Sequence, residues 1–172
     1  MSRVVDEHYF TYSALTSGIQ VKCPKCHGPG VVTGDKGSAC FRCLSCGHQM
    51  ARNRTAYRYD VHNVACPYCG AIMSGKVQRT AQKYFFYGAE ILDGKEPWFG
   101  LELWFLTSFQ GKPVWALNRE HLAYLIDYLS ADLREKPMGR AKKTQADHLP
   151  TFMKTAKNRE RIVKLFKKMQ EE

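Results

Sequence analysis

Six of the seven cysteines in this 172-residue chain fall into Cys-x2-Cys pairs. The first two pairs begin at Cys23 and Cys43, and sixteen residues separate them. Two residues between thiolates allow a tight turn to present both sulfurs to one ion, and this spacing is typical of structural zinc sites. Four thiolates complete a tetrahedron and leave no open position. The spacing therefore predicts a closed Zn²⁺ site with the ligands Cys23, Cys26, Cys43 and Cys46.

A third pair, Cys66 and Cys69, cannot form a second set of four by itself. We predict that His62, four residues before Cys66, joins it at a second zinc site, and the alternative additions are His48 and Cys40. A competing arrangement joins the first and third pairs and leaves the middle pair for a histidine-completed site. The number of zinc ions therefore stays open between one and two.

Two further expectations concern the glycines near the pairs and the remaining cysteine, Cys40. Gly28, Gly47 and Gly70 supply the tolerance for positive φ that such a turn needs. Cys40 also forms a Cys-x2-Cys pair with Cys43, but Gly47 follows the Cys43 pair as expected for a zinc knuckle. We therefore interpret Cys40 as a buried strand residue.

Positive charge lies in two separated parts of the chain. The 26 Lys and Arg residues exceed the 16 Asp and Glu residues and give a net charge of +10. Residues 20–85 and 134–172 are basic, whereas residues 86–133 are acidic. Such a field favours a polyanion or an acidic protein surface as partner.

The first basic part places arginines next to aromatic residues. Guanidinium groups can hold phosphates while bases stack on the rings, so this pattern predicts nucleic-acid binding. The alternative is that the aromatic rings pack inward and the arginines are only solvated. The arginines are Arg42, Arg52, Arg54 and Arg58, and the neighbouring aromatics are Phe41, Tyr57 and Tyr59.

The second basic part ends in an amphipathic helix. Its apolar stripe consists of Ile162, Leu165, Phe166 and Met169, and Asn158 is expected to cap it. The opposite face carries Lys157, Arg161, Lys164 and Lys168, which we predict to contact a phosphate backbone. An acidic protein surface, an anionic membrane or plain solvation would suit the same pattern.

The elements between these basic parts follow from periodicity. An apolar run at 101–106 and another at 114–117, separated by Gln-Gly-Lys-Pro, predict a β-hairpin. Asn118 then suits a helix N-cap, and apolar residues recur at helical spacing through Leu133 as far as Lys136 and Pro137.

These elements predict an α+β protein in four parts. It has an N-terminal arm at 1–19, a zinc ribbon of short antiparallel strands at 20–85, a hairpin and helix at 86–136, and a basic linker with a terminal helix at 137–172. No segment approaches the roughly 20 apolar residues of a membrane span, and the charged start does not resemble an export signal, so we expect a cytoplasmic protein without a membrane partner.

Two resemblances accompany this pattern. Residues 23–46 resemble the zinc ribbons of general transcription factors, RNA polymerase subunits, primases and the replication-restart helicase. The segments FGLELWFL at 99–106, LNREHL at 117–122, LPTFMK at 149–154 and AKNR at 156–159 resemble an uncharacterised family of bacterial zinc-ribbon proteins. That family carries a Cys-Cys-Gly element within the hairpin, where this chain has Ser-Phe-Gln-Gly at 108–111, so a ligand pair is missing here. The resemblance implies an architecture and no established activity.

The motifs of common enzymes are missing from the sequence. It contains no P-loop, no Gly-x-Gly-x-x-Gly, no Gly-x-Ser-x-Gly and no His-Glu-x-x-His motif. We therefore expect a non-enzymatic, zinc-binding adaptor for DNA or RNA, acting as an accessory factor in transcription or replication, with no small-molecule substrate. The alternative is a protein–protein interaction module that docks on a larger complex through the ribbon and the aromatic hairpin.

Overall fold

The computed structural model contains short β-sheets, most of them antiparallel, and a few helices, so the chain is a mixed α and β protein. In the part of the chain that the structure describes, the strands precede the main helices, apart from one short strand that follows the helix at Arg119–Ser130. The described residues are 2–6, 18–34, 38–53, 61–65, 72–76, 79–80, 83–84, 91, 93–96, 98–136 and 144–171.

A four-stranded antiparallel sheet contains both predicted zinc knuckles. Its strands follow chain order: β2 (Ile19–Lys22), β3 (Pro29–Gly34), β4 (Ser38–Cys43) and β5 (Gln49–Asn53). Alternate residues point to one buried face, as expected for a sheet with one solvated side. Ile19, Val21, Val32, Ala39 and Phe41 form that buried face.

Two smaller hairpins follow this sheet in the chain. The first pairs β6 (Val61–Ala65) with β7 (Ile72–Lys76), and the second pairs β8 (Arg79–Thr80) with β9 (Lys83–Tyr84). Both are antiparallel. The first hairpin encloses the third cysteine pair of the sequence.

The predicted aromatic hairpin consists of β10 (Phe105–Phe109) and β11 (Lys112–Ala116). Its turn is tighter than the sequence suggests, because Pro113 already pairs with Ser108 and only Gln110 and Gly111 connect the strands. These two residues have φ values of 53° and 74°, the left-handed conformation of a two-residue hairpin turn. The right-handed twist of the strands favours this turn.

Helix α1 (Arg119–Ser130) begins as predicted but ends earlier. The Asn118 side chain accepts a hydrogen bond from the His121 backbone N–H, which confirms the N-cap. The expected continuation through Leu133 is wrong. The Arg134 guanidinium donates to carbonyls at the helix end, including that of Ala131 at 2.7 Å, so these carbonyls need no further helical turn.

Leu133 instead belongs to the short strand β12 (Leu133–Glu135), where it is 49% exposed. This strand pairs in parallel with β1 (Arg3–Val5) near the N-terminus. The buried Asp6 accepts a 2.9 Å hydrogen bond from the Tyr124 hydroxyl and so ties β1 to α1. Burial and this contact with Asp6 raise the pKa of Tyr124.

A 3-10 turn (Gln145–His148) and a short helix α2 (Thr151–Lys154) lead into the terminal helix α3 (Ala156–Glu171). Asn158 lies inside α3 and its side chain donates to the Phe152 carbonyl, so the predicted cap is wrong. The apolar stripe is shifted slightly, because Val163 is buried and Leu165 only partly so.

The stripe of α3 packs against α1 and β10. Together they form one core, whose largest fully buried side chains include Phe105, Leu122, Leu125, Ile162 and Phe166.

A second core joins the ribbon to the hairpin. Residues 102–104 extend the ribbon sheet beyond β2, because Val21 and Leu103 form an antiparallel bridge and the Trp104 N–H donates to the Gln20 carbonyl at 2.9 Å. Trp98, Leu101 and Leu103 cover the buried face of the ribbon. Among the helices of the described residues, none has the length and apolar character that crossing a bilayer requires.

Candidate metal centre

Each predicted knuckle closes one hairpin of the ribbon sheet. Lys22 pairs with Pro29 across the first, and Arg42 pairs with Gln49 across the second, so six residues form each turn. In both turns the N–H of the first cysteine donates to the carbonyl five residues later at 2.8 Å. The two knuckles therefore have the same backbone pairing.

The four cysteine sulfurs converge between these two turns. The Sγ atoms of Cys23, Cys26, Cys43 and Cys46 all lie within 4.8 Å of one another. The Cys23–Cys46 and Cys26–Cys43 sulfur pairs are 3.8 and 3.5 Å apart. Four Zn–S bonds of about 2.3 Å in a tetrahedron separate the sulfurs by about 3.8 Å, so the donor set fits a zinc ion.

Backbone N–H groups point at the first cysteine of each knuckle. The Lys25 N–H lies 3.4 Å from the Cys23 sulfur. The N–H groups of Cys46 and Ser45 lie 3.3 and 3.4 Å from the Cys43 sulfur. Hydrogen bonds from Cys46 and Ser45 lower the pKa of Cys43 to about 6, although desolvation opposes them. A thiolate is the form that binds a metal, so these donors prepare the site.

The pKa of Cys26 is raised, in contrast to that of Cys43. The Gly28 N–H lowers its pKa, but the neighbouring Cys46 thiol, desolvation and the thiols of Cys43 and Cys23 outweigh this donor and raise the pKa to about 12. Four sulfurs this close cannot all carry negative charge without a cation. The arrangement is therefore suited to a cation that neutralises the thiolates.

The residue after the second cysteine adopts a positive φ in both knuckles. Gly47 has a φ of 70° as expected, whereas in the first knuckle His27 takes this position with a φ of 58°. The expectation for Gly28 is therefore wrong. This glycine is needed for space, because a Cβ there would lie 2.6 Å from the Ser45 Oγ. Gly70 lies outside the described residues.

The geometry of the centre suits a structural metal site and not a catalytic one. Cys23 and Cys43 are buried, Cys26 and Cys46 are exposed, and cysteine sulfurs fill all four ligand positions. Such a site leaves no position for a water or a substrate, so the bound ion would hold the two knuckles together and would not activate a nucleophile. The competing arrangement, in which the third pair joins the first, differs from the one in the structure.

The other predicted metal ligands have different outcomes. Cys40 is exposed on β4, so its assignment as a buried residue is wrong; Phe41 beside it takes the buried face. The ring of His48 lies 6.0 Å from that of Phe41 and outside the sulfur cluster. His62 lies in β6, but its side chain is not described, and Cys66 and Cys69 lie outside the described residues.

The ribbon arginines are only partly described. Arg42 is exposed on β4, whereas the neighbouring Phe41 is 1% exposed and belongs to the core, so this ring cannot serve as a stacking surface. Arg52 lies in β5 opposite Ala39, and its side chain is not described. Arg54 and Arg58 lie outside the described residues.

The predicted cations of the terminal helix are all exposed on α3. We call them the α3 cation stripe: Lys157, Arg161, Lys164 and Lys168. Their spacing of four, three and four residues returns to the same helix face. Glu160 forms a 3.2 Å ion pair with Lys164 at the border of the stripe.

Hairpin residues that the sequence did not single out fix one edge of this stripe. The Arg161 guanidinium lies 5.2 Å from the centre of the Phe109 ring, and Lys112 lies 5.1 Å from that of Phe152. The two rings stack in parallel with centroids 6.4 Å apart. Lys112 of the hairpin therefore contacts α2, the short helix that precedes α3. The cation–aromatic contacts join elements distant in sequence, so no local pattern indicates them.

His27 could have been recognised from the sequence. It occupies the same place after its knuckle as Gly47 does after the second, which is visible when the two Cys-x2-Cys segments are aligned.

Comparisons of the chain with protein-family models, with curated proteins and with solved structures found no significant match. The resemblance to bacterial zinc-ribbon proteins therefore stays a prediction. What the chain does is inferred from its own geometry.

Proposed function

We propose that this protein is a zinc-stabilised, non-enzymatic adaptor that binds nucleic acid through the phosphate backbone. The observation that carries the proposal is the α3 cation stripe, an exposed row of four basic residues on one helix face. The four-cysteine centre supports the zinc part of the proposal, because its sulfur spacing fits this ion.

The length and setting of the stripe suit a polyanion. Its first and last members, Lys157 and Lys168, are eleven residues apart, which is about 16 Å along a helix axis. Phosphates of one DNA strand follow each other at about 3.4 Å along the duplex axis, so the stripe can lie along several of them. The Arg161 guanidinium lies 5.2 Å from the centre of the Phe109 ring, a contact that would favour one orientation of this side chain. Phosphate contacts give affinity and little sequence preference.

Salt titration tests this proposal directly. Four phosphate contacts on duplex DNA correspond to a slope of log K against log salt of about −3.6, or a loss of about two orders of magnitude in affinity between about 50 and 200 mM salt. We expect at least this dependence for the zinc-loaded protein, measured by fluorescence anisotropy with duplex DNA, single-stranded DNA and RNA. Failure to bind any of the three at low salt would refute nucleic-acid binding.

A matched pair of variants locates the contact. Lys168 and Lys167 are adjacent, exposed residues of α3, but only Lys168 lies in the stripe. Lys168→Gln should lower the magnitude of the salt slope by about 0.9 on duplex DNA, whereas Lys167→Gln removes the same charge and should change it much less. Equal effects of the two variants would indicate a response to net charge and not a contact by the stripe.

One observation favours docking on another protein as the second candidate function. Leu44, in the second knuckle, is 61% exposed, which is unusual for a large apolar side chain in a turn that a metal would rigidify. The ribbon could present it to a larger complex. In that case Leu44→Ser would abolish the association, and the salt titration with nucleic acids would show no binding.

The proposed setting is a cytoplasmic accessory role in transcription or replication. This setting rests on the resemblance of residues 23–46 to zinc ribbons of those machineries. Recovery of such a machinery together with the wild-type protein, and its loss with the Lys168→Gln or Leu44→Ser variant, would connect the setting with the surface responsible.

A further inference from the structure

Each buried cysteine of the ribbon centre lies beside an exposed cysteine of the other knuckle. The Sγ atoms of the buried Cys43 and the exposed Cys26 are 3.5 Å apart. Those of the buried Cys23 and the exposed Cys46 are 3.8 Å apart. Together these two pairs use each of the four sulfurs once. A dissolved oxidant can therefore reach one sulfur of each pair, and a second sulfur lies next to the first.

Both pairs need only a small movement to become disulfides. An S–S bond is about 2.05 Å long, so the sulfurs must approach by about 1.5 Å in the first pair and about 1.8 Å in the second. Packing surrounds the buried partners, so the exposed side chains of Cys26 and Cys46 can supply most of this movement. The resulting disulfides would each connect one knuckle to the other.

We propose that the ribbon centre is a redox-sensitive site, at which a peroxide replaces the zinc ion by the disulfides Cys26–Cys43 and Cys23–Cys46. In the proposed cytoplasmic setting, disulfides are usually transient and serve redox sensing or catalysis. The two disulfides join the same two knuckles that the ion joins. The ribbon therefore keeps its knuckles together after the ion has left.

The reaction at each pair is a two-electron oxidation. The sulfur of the exposed cysteine attacks one oxygen of hydrogen peroxide, the O–O bond breaks, and a sulfenic acid forms while hydroxide leaves. The sulfur of the buried cysteine then attacks the sulfenic sulfur, so the S–S bond forms and a second hydroxide leaves. Each hydroxide takes up a proton and becomes water. Because the sulfurs of a disulfide carry no negative charge, the zinc ion loses its ligands and is released.

Trypsin, which cuts after lysine and arginine, separates the cysteines in a way that reports the pairing. Cys23 lies in the fragment 23–25, Cys26 in 26–36, and both cysteines of the second knuckle in 43–52. Disulfides between the knuckles would therefore join all three fragments into one species. Disulfides within the knuckles would join only the first two fragments and leave the third with an internal disulfide.

The experiment uses the zinc-loaded, full-length protein. After treatment with hydrogen peroxide, it should release the zinc of this centre to a chromophoric chelator, whereas untreated protein keeps it. Alkylation of the remaining thiols and digestion without a reducing agent should then give the three-fragment species. Cleavage of its backbone between Cys43 and Cys46 in the mass spectrometer should show 26–36 attached to Cys43 and 23–25 attached to Cys46.

Hydrogen exchange tests whether the disulfides take over the role of the ion. The oxidised, zinc-free protein should keep amide protection in β2–β5, whereas reduced protein stripped by a chelator should lose it. A thiol reductant with added zinc should return the protein to its zinc-loaded form. Loss of protection on oxidation would show that the disulfides do not hold the knuckles together, and this part of the proposal would be wrong.

Cys40→Ser is the matched control, because Cys40 is also exposed but lies outside the sulfur cluster. This variant should release zinc and form the same three-fragment species as the wild type. Disulfides within the knuckles, or from the ribbon centre to any other cysteine of the chain, would overturn the proposal. Zinc retained in excess peroxide, or sulfinic acids in place of disulfides, would overturn it equally. None of these outcomes depends on nucleic-acid binding.

Discussion

A single buried carboxylate organises the loop that covers the ribbon core. Glu96 is 1% exposed, and its side-chain oxygens accept backbone N–H groups from Trp98 at 2.7 Å and from Phe99 and Leu101 at 2.9 Å. Trp98 and Leu101 pack on the ribbon's buried face. Because three backbone N–H groups of this loop donate to one buried side chain, this glutamate links loop conformation to core packing.

Glu96→Gln should therefore destabilise the protein, although the glutamine side chain has nearly the same size as the glutamate side chain. An amide offers one acceptor oxygen and turns a donor toward backbone N–H groups, and leaving a buried donor unsatisfied costs about 1–3 kcal/mol. The measurement is urea unfolding of the zinc-loaded protein. Glu102→Gln is the control, because Glu102 forms an exposed ion pair with Lys22 and such pairs contribute about 0–1 kcal/mol. Equal losses for the two variants would contradict the role given to Glu96.

At the scale of the element, the two knuckles meet the same backbone requirement with different residues. Both require a left-handed residue after the second cysteine, supplied by His27 in one turn and Gly47 in the other. No atom lies within 4 Å of a Cβ built on Gly47, so a side chain there would meet conformational strain and no collision. The backbone and not the packing makes glycine favourable at this turn.

Gly47→Ala isolates this backbone effect. A left-handed conformation costs a residue with a Cβ about 1–2 kcal/mol, so zinc affinity should fall about tenfold in competition with a chromophoric chelator. His27→Gly removes the same conformational cost at the equivalent position and should raise the zinc affinity, by up to about tenfold. A tenfold loss from His27→Gly would show that the imidazole itself matters and that the knuckles are not equivalent.

At the scale of the whole molecule, the features that the sequence predicted correctly depend on residues close together in the chain. The features that it missed depend on long-range packing. Cysteine spacing indicated the sulfur cluster, and Asn118 marked the start of α1, because both depend on neighbours in sequence. The exposure of Cys40 follows from Phe41 taking the core side of β4, which is a tertiary choice. The early end of α1 depends on Arg134 and on a strand partner at the N-terminus, so periodicity alone could not show it.

Among the described residues, apolar side chains form two cores that zinc should affect differently. The core of α1, α3 and the β10–β11 hairpin contains no residue of the ribbon, whereas the other core consists of ribbon residues together with Trp98, Leu101, Leu103 and Leu117. Small ribbon cores bury too little apolar surface to be stable without their metal. The two cores are nevertheless joined through β2. This strand pairs with β3 of the ribbon on one side and, on the other, with residues 102–104, which lead directly into β10.

Removal of zinc should therefore unfold the ribbon before the helices. With a strong chelator, we expect amide protection to be lost in β2–β5 while α1 and α3 keep theirs, as measured by hydrogen exchange with mass spectrometry. Cys46→Ser should reproduce this pattern without chelator, because it removes one of the four sulfurs, and Cys40→Ser should not. Simultaneous loss of protection in both cores would show that the pairing of β2 with residues 102–104 makes the molecule one cooperative unit. Retained protection in the ribbon would mean that the four thiols hold the knuckles together without a metal, and the structural role assigned to zinc would then be wrong.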